Sequence, residues 1–200
     1  MSGASAELCR TLGYTFTDST LLKRALTHRS RGANNYERLE FLGDSLLNFV
    51  IAAELYERYP ALAEGELTRL RASLVKEETL ARLARRLELG RCLDLGGGEL
   101  KSGGHERDSI LADALEAVFG AVFKDGGIEP ARSLIRALYQ PLFDAVDPQL
   151  ILKDPKTSLQ EYTQKHMLTT PTYNVLEVTG EPHLQHFLVE CVVPGLPQPV

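Results

Sequence analysis

The sequence predicts an all-α domain followed by a smaller α+β module, and three observations carry that reading. Up to about residue 145 the apolar residues recur at the helical period. The stretch DPQLILKDPK then breaks the pattern with two Asp-Pro steps, which favour extended or turn geometry. Beyond it one helical segment, TSLQEYTQKH, precedes two alternating stretches, TYNVLEVTG and QHFLVECVV, that read as β-strands across the turn GEPHL. The expected boundaries are a helical domain over 1–146, a linker over 147–154 and an α-β-β module over 155–200.

In chain order, residues 5–12 form a short amphipathic helix, and Asp18 N-caps a second one running to about His28. His28 is read as a structural hydrogen-bonding residue. After the loop RGANN, the string YERLEFLGDSLLN lies on a helix that runs to Tyr59 and is stopped by Pro60. Leu39, Leu42, Leu46 and Phe49 form its apolar stripe. Glu64 and Glu66 then open another helix, where acids favour the macrodipole and Glu66 caps. Helices then continue to about Glu88, with Gly90 as C-cap. The segment DLGGGELKSGGHERD, 94–108, holds too much glycine for a helix. Its backbone N–H groups can approach a phosphate, and Lys101 and Ser102 can add contacts to a sugar-phosphate chain; a connection without contacts is the alternative. Asp108 caps a helix containing ILADALEAVFGAVF that ends at Gly126 and Gly127, and a last helix of this domain spans 129–143 with Pro130 in its first turn.

Two hundred residues allow one domain of about 150 and a smaller module. No apolar run approaches the ~18–20 residues that span a bilayer, and MSGASAELCR lacks a signal pattern, so a cytoplasmic protein with no membrane partner is expected. Cys9, Cys92 and Cys191 are odd in number and scattered, which argues against a disulfide framework or a zinc site. The net charge of −5 opposes non-specific attraction to nucleic acid, although a local groove can differ from the global balance. Arg82, Arg85, Arg86 and Arg91 cluster on one helix and its exit, as a solvated face or as a phosphate track.

The acids are the chemical signal. Glu37, Glu40 and Asp44 fall at i, i+3 and i+7, so they leave one face of their helix beside an apolar stripe. Such a run alone usually marks a solvated face. ILADALEAVFGAVF, however, is apolar nearly all round and still carries Asp113 and Glu116 at i, i+3, and unpaired acids are rare in a core helix. Should the two helices cross near Asp44 and Asp113, four carboxylates meet as an oxygen-only site suited to Mg²⁺ or Mn²⁺.

At these residues the sequence resembles the ribonuclease III family. ERLEFLGDS is similar to its signature and ILADALEA to its second acidic helix. ALTHRS, LGGGELKSGG and DPKTSLQEY are similar to pieces of bacterial members in the same order. The resemblance implies an all-α ribonuclease III catalytic domain followed by an incomplete α+β double-stranded-RNA-binding domain, with a third strand and second helix lacking. It implies a homodimeric, Mg²⁺-dependent endoribonuclease, with Mn²⁺ as a possible substitute and no small-molecule cofactor. Double-stranded RNA would be cut to 5′-phosphate and 3′-hydroxyl ends in the processing of ribosomal-RNA precursors and other transcripts. Glu40, Asp44, Asp113 and Glu116 would hold two metal ions, with Asp44 and Glu116 catalytic and Glu37 and Glu64 farther out. Thr157, Gln160, Glu161 and His183 would touch the RNA minor groove, and Phe41 would enter a socket on the partner, with core packing inside one subunit as its alternative. A non-catalytic duplex binder and a small-molecule phosphohydrolase are the competing classes.

Overall fold

The computed structural model describes residues 3–146, 155–166, 169–179 and 185–193. The chain divides into two compact units, Met1–Pro148 and Gln149–Val200. In the first unit the described residues form α1 (Gly3–Leu12), α2 (Ser19–Ala25), α3 (Glu37–Arg58), α4 (Glu64–Val75), α5 (Glu77–Arg86), α6 (Gly97–Lys101), α7 (Asp108–Gly126) and α8 (Ile128–Ala145). Short 3-10 turns occur at Arg29–Arg31, Leu89–Cys92 and Gly104–Glu106.

Helix α7 is the centre of this unit. Its apolar residues, among them Leu111, Leu115, Val118, Phe119 and Val122, are fully buried because α2, α3, α5 and α8 pack around it. Each such side chain contributes about 1.5–3 kcal/mol by leaving water. The tightest approach is to α3, and glycine permits it. A Cβ added at Gly43 would collide with the carbonyl oxygen of Glu116, and one added at Gly120 with that of Leu39. The two backbones therefore touch where each helix carries its acids.

Several sequence expectations need correction. Helix α2 ends at Ala25 and not near His28, because Leu26–His28 pairs with Asp94: the His28 N–H donates to the Asp94 carbonyl at 3.0 Å and the Asp94 N–H to that of Leu26 at 2.8 Å. The helices from Glu64 end at Arg86, and the left-handed residue beyond them is Glu88 (φ 53°), not Gly90. Gly90 instead packs against the His105 carbonyl, where a Cβ would clash. The glycine-rich 94–108 segment does hold a short helix, α6, anchored at its start by the Ser30 hydroxyl, which accepts from the Gly96 N–H at 2.8 Å. Asp108 does not cap α7; it is the helix's first residue and pairs with Arg85. On α3 the predicted stripe is displaced. Phe49 is 62% exposed, and the buried face is Leu39, Leu46, Leu47, Val50, Ile51 and Leu55.

One buried acid was not anticipated. Glu54 is 6% exposed on α3 and is met by Arg136 of α8 at 3.0 Å, with Arg58 at 3.5 Å and Arg132 at 3.8 Å. A buried carboxylate needs such partners, and this one fastens α3 to α8.

In the second unit, α9 (Pro155–Lys165) precedes β1 (Thr172–Thr179) and β2 (His186–Val192). The strands pair antiparallel, Thr172 opposite Val192 and Thr179 opposite His186, with an irregularity between Val175 and Glu177. Val175, Leu176, Val178, Phe187, Leu188 and Val189 are exposed. The expected linker, 147–154, lies outside the described residues.

Candidate metal centre

Glu40 leaves α3 one turn before Gly43, while Asp113 and Glu116 leave α7 at the same crossing. Each offers a carboxylate oxygen, and the three oxygens lie within 4.8 Å of one another. All three residues are partly buried. Among the described residues no arginine or lysine forms an ion pair with any of them. An all-oxygen, multiply anionic set without an internal cation has the donor chemistry of a hard divalent metal site.

The electrostatics agree with that chemistry. Burial raises the Glu116 carboxyl to about 8, and the charges of Asp44, Asp113 and Glu40 push the same way. Burial likewise raises Glu40 to about 7, aided by Asp113, Glu37 and Asp44. Asp113 is raised by burial and by Glu77, while the neighbouring Tyr36 phenol and the charge of Arg29 act oppositely. Without a metal, protons take the cation's place on Glu116.

This has a measurable sign. A carboxyl whose folded pKa lies above its unfolded value of about 4.3 stabilises the folded state below that value and loses the contribution as pH rises through the folded pKa. The metal-free protein is therefore expected to lose melting temperature as pH rises through about 7 and 8, the folded values of Glu40 and Glu116. Added Mg²⁺ should flatten the fall, because the ion replaces the protons. Thermal melts across that pH range, with and without the ion, check it; a flat metal-free profile would contradict the assigned electrostatics.

Asp44, the fourth of the expected set, stands outside this group of three. It is exposed on α3, and Asn48, one turn on, donates to its carboxylate at 2.8 Å. It acts on Glu40 and Glu116 by charge from the rim and is not among the three that meet. Glu37 stands farther out, exposed and 3.8 Å from Arg29. Glu64 is placed elsewhere. It begins α4 after the chain has reversed past Pro60, accepts from Thr68 at 2.9 Å and faces Ala52, Leu55 and Tyr56 in the C-terminal half of α3.

A polar groove of about 440 Å³ runs from the acids, lined by Glu37, Glu40 and Asp113 on one hand and by His28, Arg29, Tyr36, Glu99 and Arg107 on the other. Lys101 is exposed. The Ser102 hydroxyl donates to the Glu99 carbonyl and accepts from Arg107 at 3.3 Å. Of the Arg cluster, Arg85 pairs with Asp108 and Arg91 with Glu88 on exposed surface, which favours a solvated face. In the second unit Gln160 is exposed, whereas the side chains of Thr157 and Glu161 and the whole of His183 lie outside the described residues. Phe41 is 77% exposed, so it does not pack in this chain's core. Sequence reasoning missed Tyr36, Gly43 and Gly120. Only the glycines left a trace, as small residues in otherwise large-residue helices.

Comparison with known proteins matches residues 18–142 to the Ribonuclease-III-like family. Among solved structures, one of the nuclease domain of ribonuclease III from Campylobacter jejuni is 42% identical, with a TM-score of 0.67 over 69% of this chain and 97% of that one. A second structure of that domain is 40% identical, with a TM-score of 0.69 over 74% and 100%. Dicer from Pichia stipitis is 26% identical, with a TM-score of 0.55 over 90% and 83%.

Proposed function

Because the chain belongs to the ribonuclease III family, we propose that it is an endoribonuclease that cuts double-stranded RNA by two-metal-ion phosphodiester hydrolysis. The observation that carries this reading is the meeting of Glu40, Asp113 and Glu116 at the α3–α7 crossing. Glu116, buried deepest, would hold the ion essential for chemistry, Glu40 and Asp113 would share the pair, and Asp44 would complete the set from the rim. Mg²⁺ is the proposed ion and Mn²⁺ its substitute. When bound, the pair would supply water activation and relief of charge on the departing 3′-oxygen, leaving 5′-phosphate and 3′-hydroxyl ends. The chain's own part is to fix the carboxylates on two rigid helices, keep arginine and lysine off them, and leave the groove open toward Arg29 and Arg107 for the phosphate chain.

A duplex has two antiparallel strands, so a twofold dimer presents one identical site to each. Phe41, Phe49 and Tyr56, 77%, 62% and 69% exposed, lie on one face of α3 and form an apolar stripe suited to a second copy. The Campylobacter domain has a region involved in dimer formation. The second unit, helix then hairpin, fits the opening of a double-stranded-RNA-binding module, in which Thr157, Gln160, Glu161 and His183 would meet the minor groove. Lys101 and Ser102 would add backbone contacts near the acids. Glu37 and Glu64 remain secondary acids. Ribosomal-RNA precursors and other transcripts processed in the cytoplasm are the proposed substrates. No helix among the described residues is long and apolar enough to cross a membrane.

The test is incubation with a long RNA duplex. Cleavage that Mg²⁺ supports and EDTA stops is expected, from a protein sedimenting at twice the chain mass. Duplex binding without cleavage would indicate a non-catalytic binder. Phosphate release from small esters, with the duplex untouched, would indicate a phosphohydrolase.

A further inference from the structure

We propose that His28 is an RNA-binding residue of the groove, its Nε2–H donating to an oxygen of the ribose-phosphate backbone. The inference rests on the reading of the groove as the path of an RNA duplex. The hydrogen bonds around the ring fix its tautomer. The Ser30 backbone N–H, which can only donate, meets His28 Nδ1 at 3.2 Å. The Ser30 hydroxyl accepts from the Gly96 N–H at 2.8 Å and gives its own proton to Nδ1, also at 2.8 Å. Nδ1 therefore carries no proton, and the neutral ring holds it on Nε2. The ring is kept in place by its backbone and by a neighbour: the His28 N–H donates to the Asp94 carbonyl at 3.0 Å, the His28 carbonyl accepts from Arg31 at 2.9 Å, and Tyr36 meets the imidazole edge-on with centroids 5.6 Å apart.

A structural role accounts for Nδ1 and leaves Nε2 unexplained. His28 is 6% exposed, yet among the described residues Nε2 has no hydrogen-bond partner. Nor is it sealed in: the enclosed side-chain nitrogens and oxygens without a partner are Arg58 Nε and the Tyr139 hydroxyl. His28 lines the groove together with Glu40, Asp113, Arg29 and Arg107, so the groove is where its donor is open. Burial lowers the imidazole below its ordinary value, which keeps it neutral. A proton on Nε2 excludes metal ligation and proton abstraction there, because both need the lone pair. Donation to an acceptor that arrives from outside the chain is what remains. The acceptors a duplex brings into such a groove are its phosphate oxygens and its 2′-hydroxyls.

The test is single-turnover cleavage of a labelled RNA duplex by the full chain in Mg²⁺, read as the half-saturating protein concentration beside the melting temperature. An Asn amide can stand where Nδ1 stands and a Gln amide where Nε2 stands, so two variants separate the two ring nitrogens. His28→Asn keeps an acceptor for Ser30 and loses the outward donor, and half-saturation should rise about fivefold, the scale of one neutral hydrogen bond. His28→Gln keeps an outward donor and loses the Ser30 contact, and half-saturation should stay near the wild type. Both lose the packing of the ring, so both should melt lower, Asn no more than Gln. Single 2′-deoxy and single methylphosphonate substitutions stepped along the strand name the acceptor. One of them should weaken the wild type and have no further effect in His28→Asn, a 2′-deoxy position identifying a ribose hydroxyl and a methylphosphonate position a phosphate oxygen. Wild-type half-saturation in His28→Asn, an equal rise in both variants, or no coupled position in either series would overturn the contact while leaving the nuclease reading intact. A wild-type chain that leaves the duplex uncut would overturn the reading of the groove beneath it.

Discussion

Glu116→Gln is expected to abolish duplex cleavage while leaving duplex binding nearly unchanged. Glu116 is the acid with the most strongly raised carboxyl of the cluster, at about 8, and its own backbone forms the contact with Gly43, so neither its position nor its solvation can adjust. Gln keeps the shape and removes the charge that would hold a divalent ion. Losing one preorganised group of this kind costs about 10²–10³ in rate, and losing the ion it holds should reach the upper end or pass it. Binding should survive because carboxylates do not attract phosphates. Single-turnover cleavage and a mobility shift on the same labelled duplex separate the two quantities. Normal turnover would remove Glu116 from the mechanism.

Gly43→Ala should be the most damaging single methyl group in the nuclease unit. The new Cβ would meet the Glu116 carbonyl, which is helix backbone and cannot rotate aside, so α3 and α7 must part. Forced overpacking of this kind costs about 3 kcal/mol or more, equivalent to roughly 10 °C of melting temperature in a unit of this size. Cleavage should fall further than stability, since the parting helices carry Glu40 on one side and Asp113 and Glu116 on the other. Gly97→Ala is the control. A Cβ there meets nothing within 4 Å, and a change within about 0.5 kcal/mol is expected. Thermal melts and Mn²⁺ affinity of both variants check the pair; a wild-type melt and affinity for Gly43→Ala would refute the close-approach account.

Much of the fold was legible because helical periodicity is a local signal. The Asp-Pro steps in DPQLILKDPK and the alternation in 172–179 and 186–192 also marked the change of architecture. What escaped was set by tertiary contact. Pairing of Leu26–His28 with Asp94 shortened α2, and the Ser30 hydroxyl held a helix together at Gly97–Lys101 where composition argued against one. Helix α3 is apolar on two faces, so periodicity could not tell the core side from the exposed stripe, and Phe49 was placed on the wrong one. Among the site residues, Glu40, Asp113 and Glu116 announced themselves as acids on greasy helices. Asp44 shares their spacing but leans to the rim toward Asn48, which no spacing rule reveals. Glu54 shows the converse: a buried acid on the same helix whose arginines, two of them from a distant segment, make it structural.

The most direct measurement is an anomalous difference map from a crystal of this protein soaked in Mn²⁺. Ion density between Glu40, Asp113 and Glu116, lost on chelation, is the predicted result. Crystals that bind Mn²⁺ at other carboxylates and leave these three dry would contradict the account at its root.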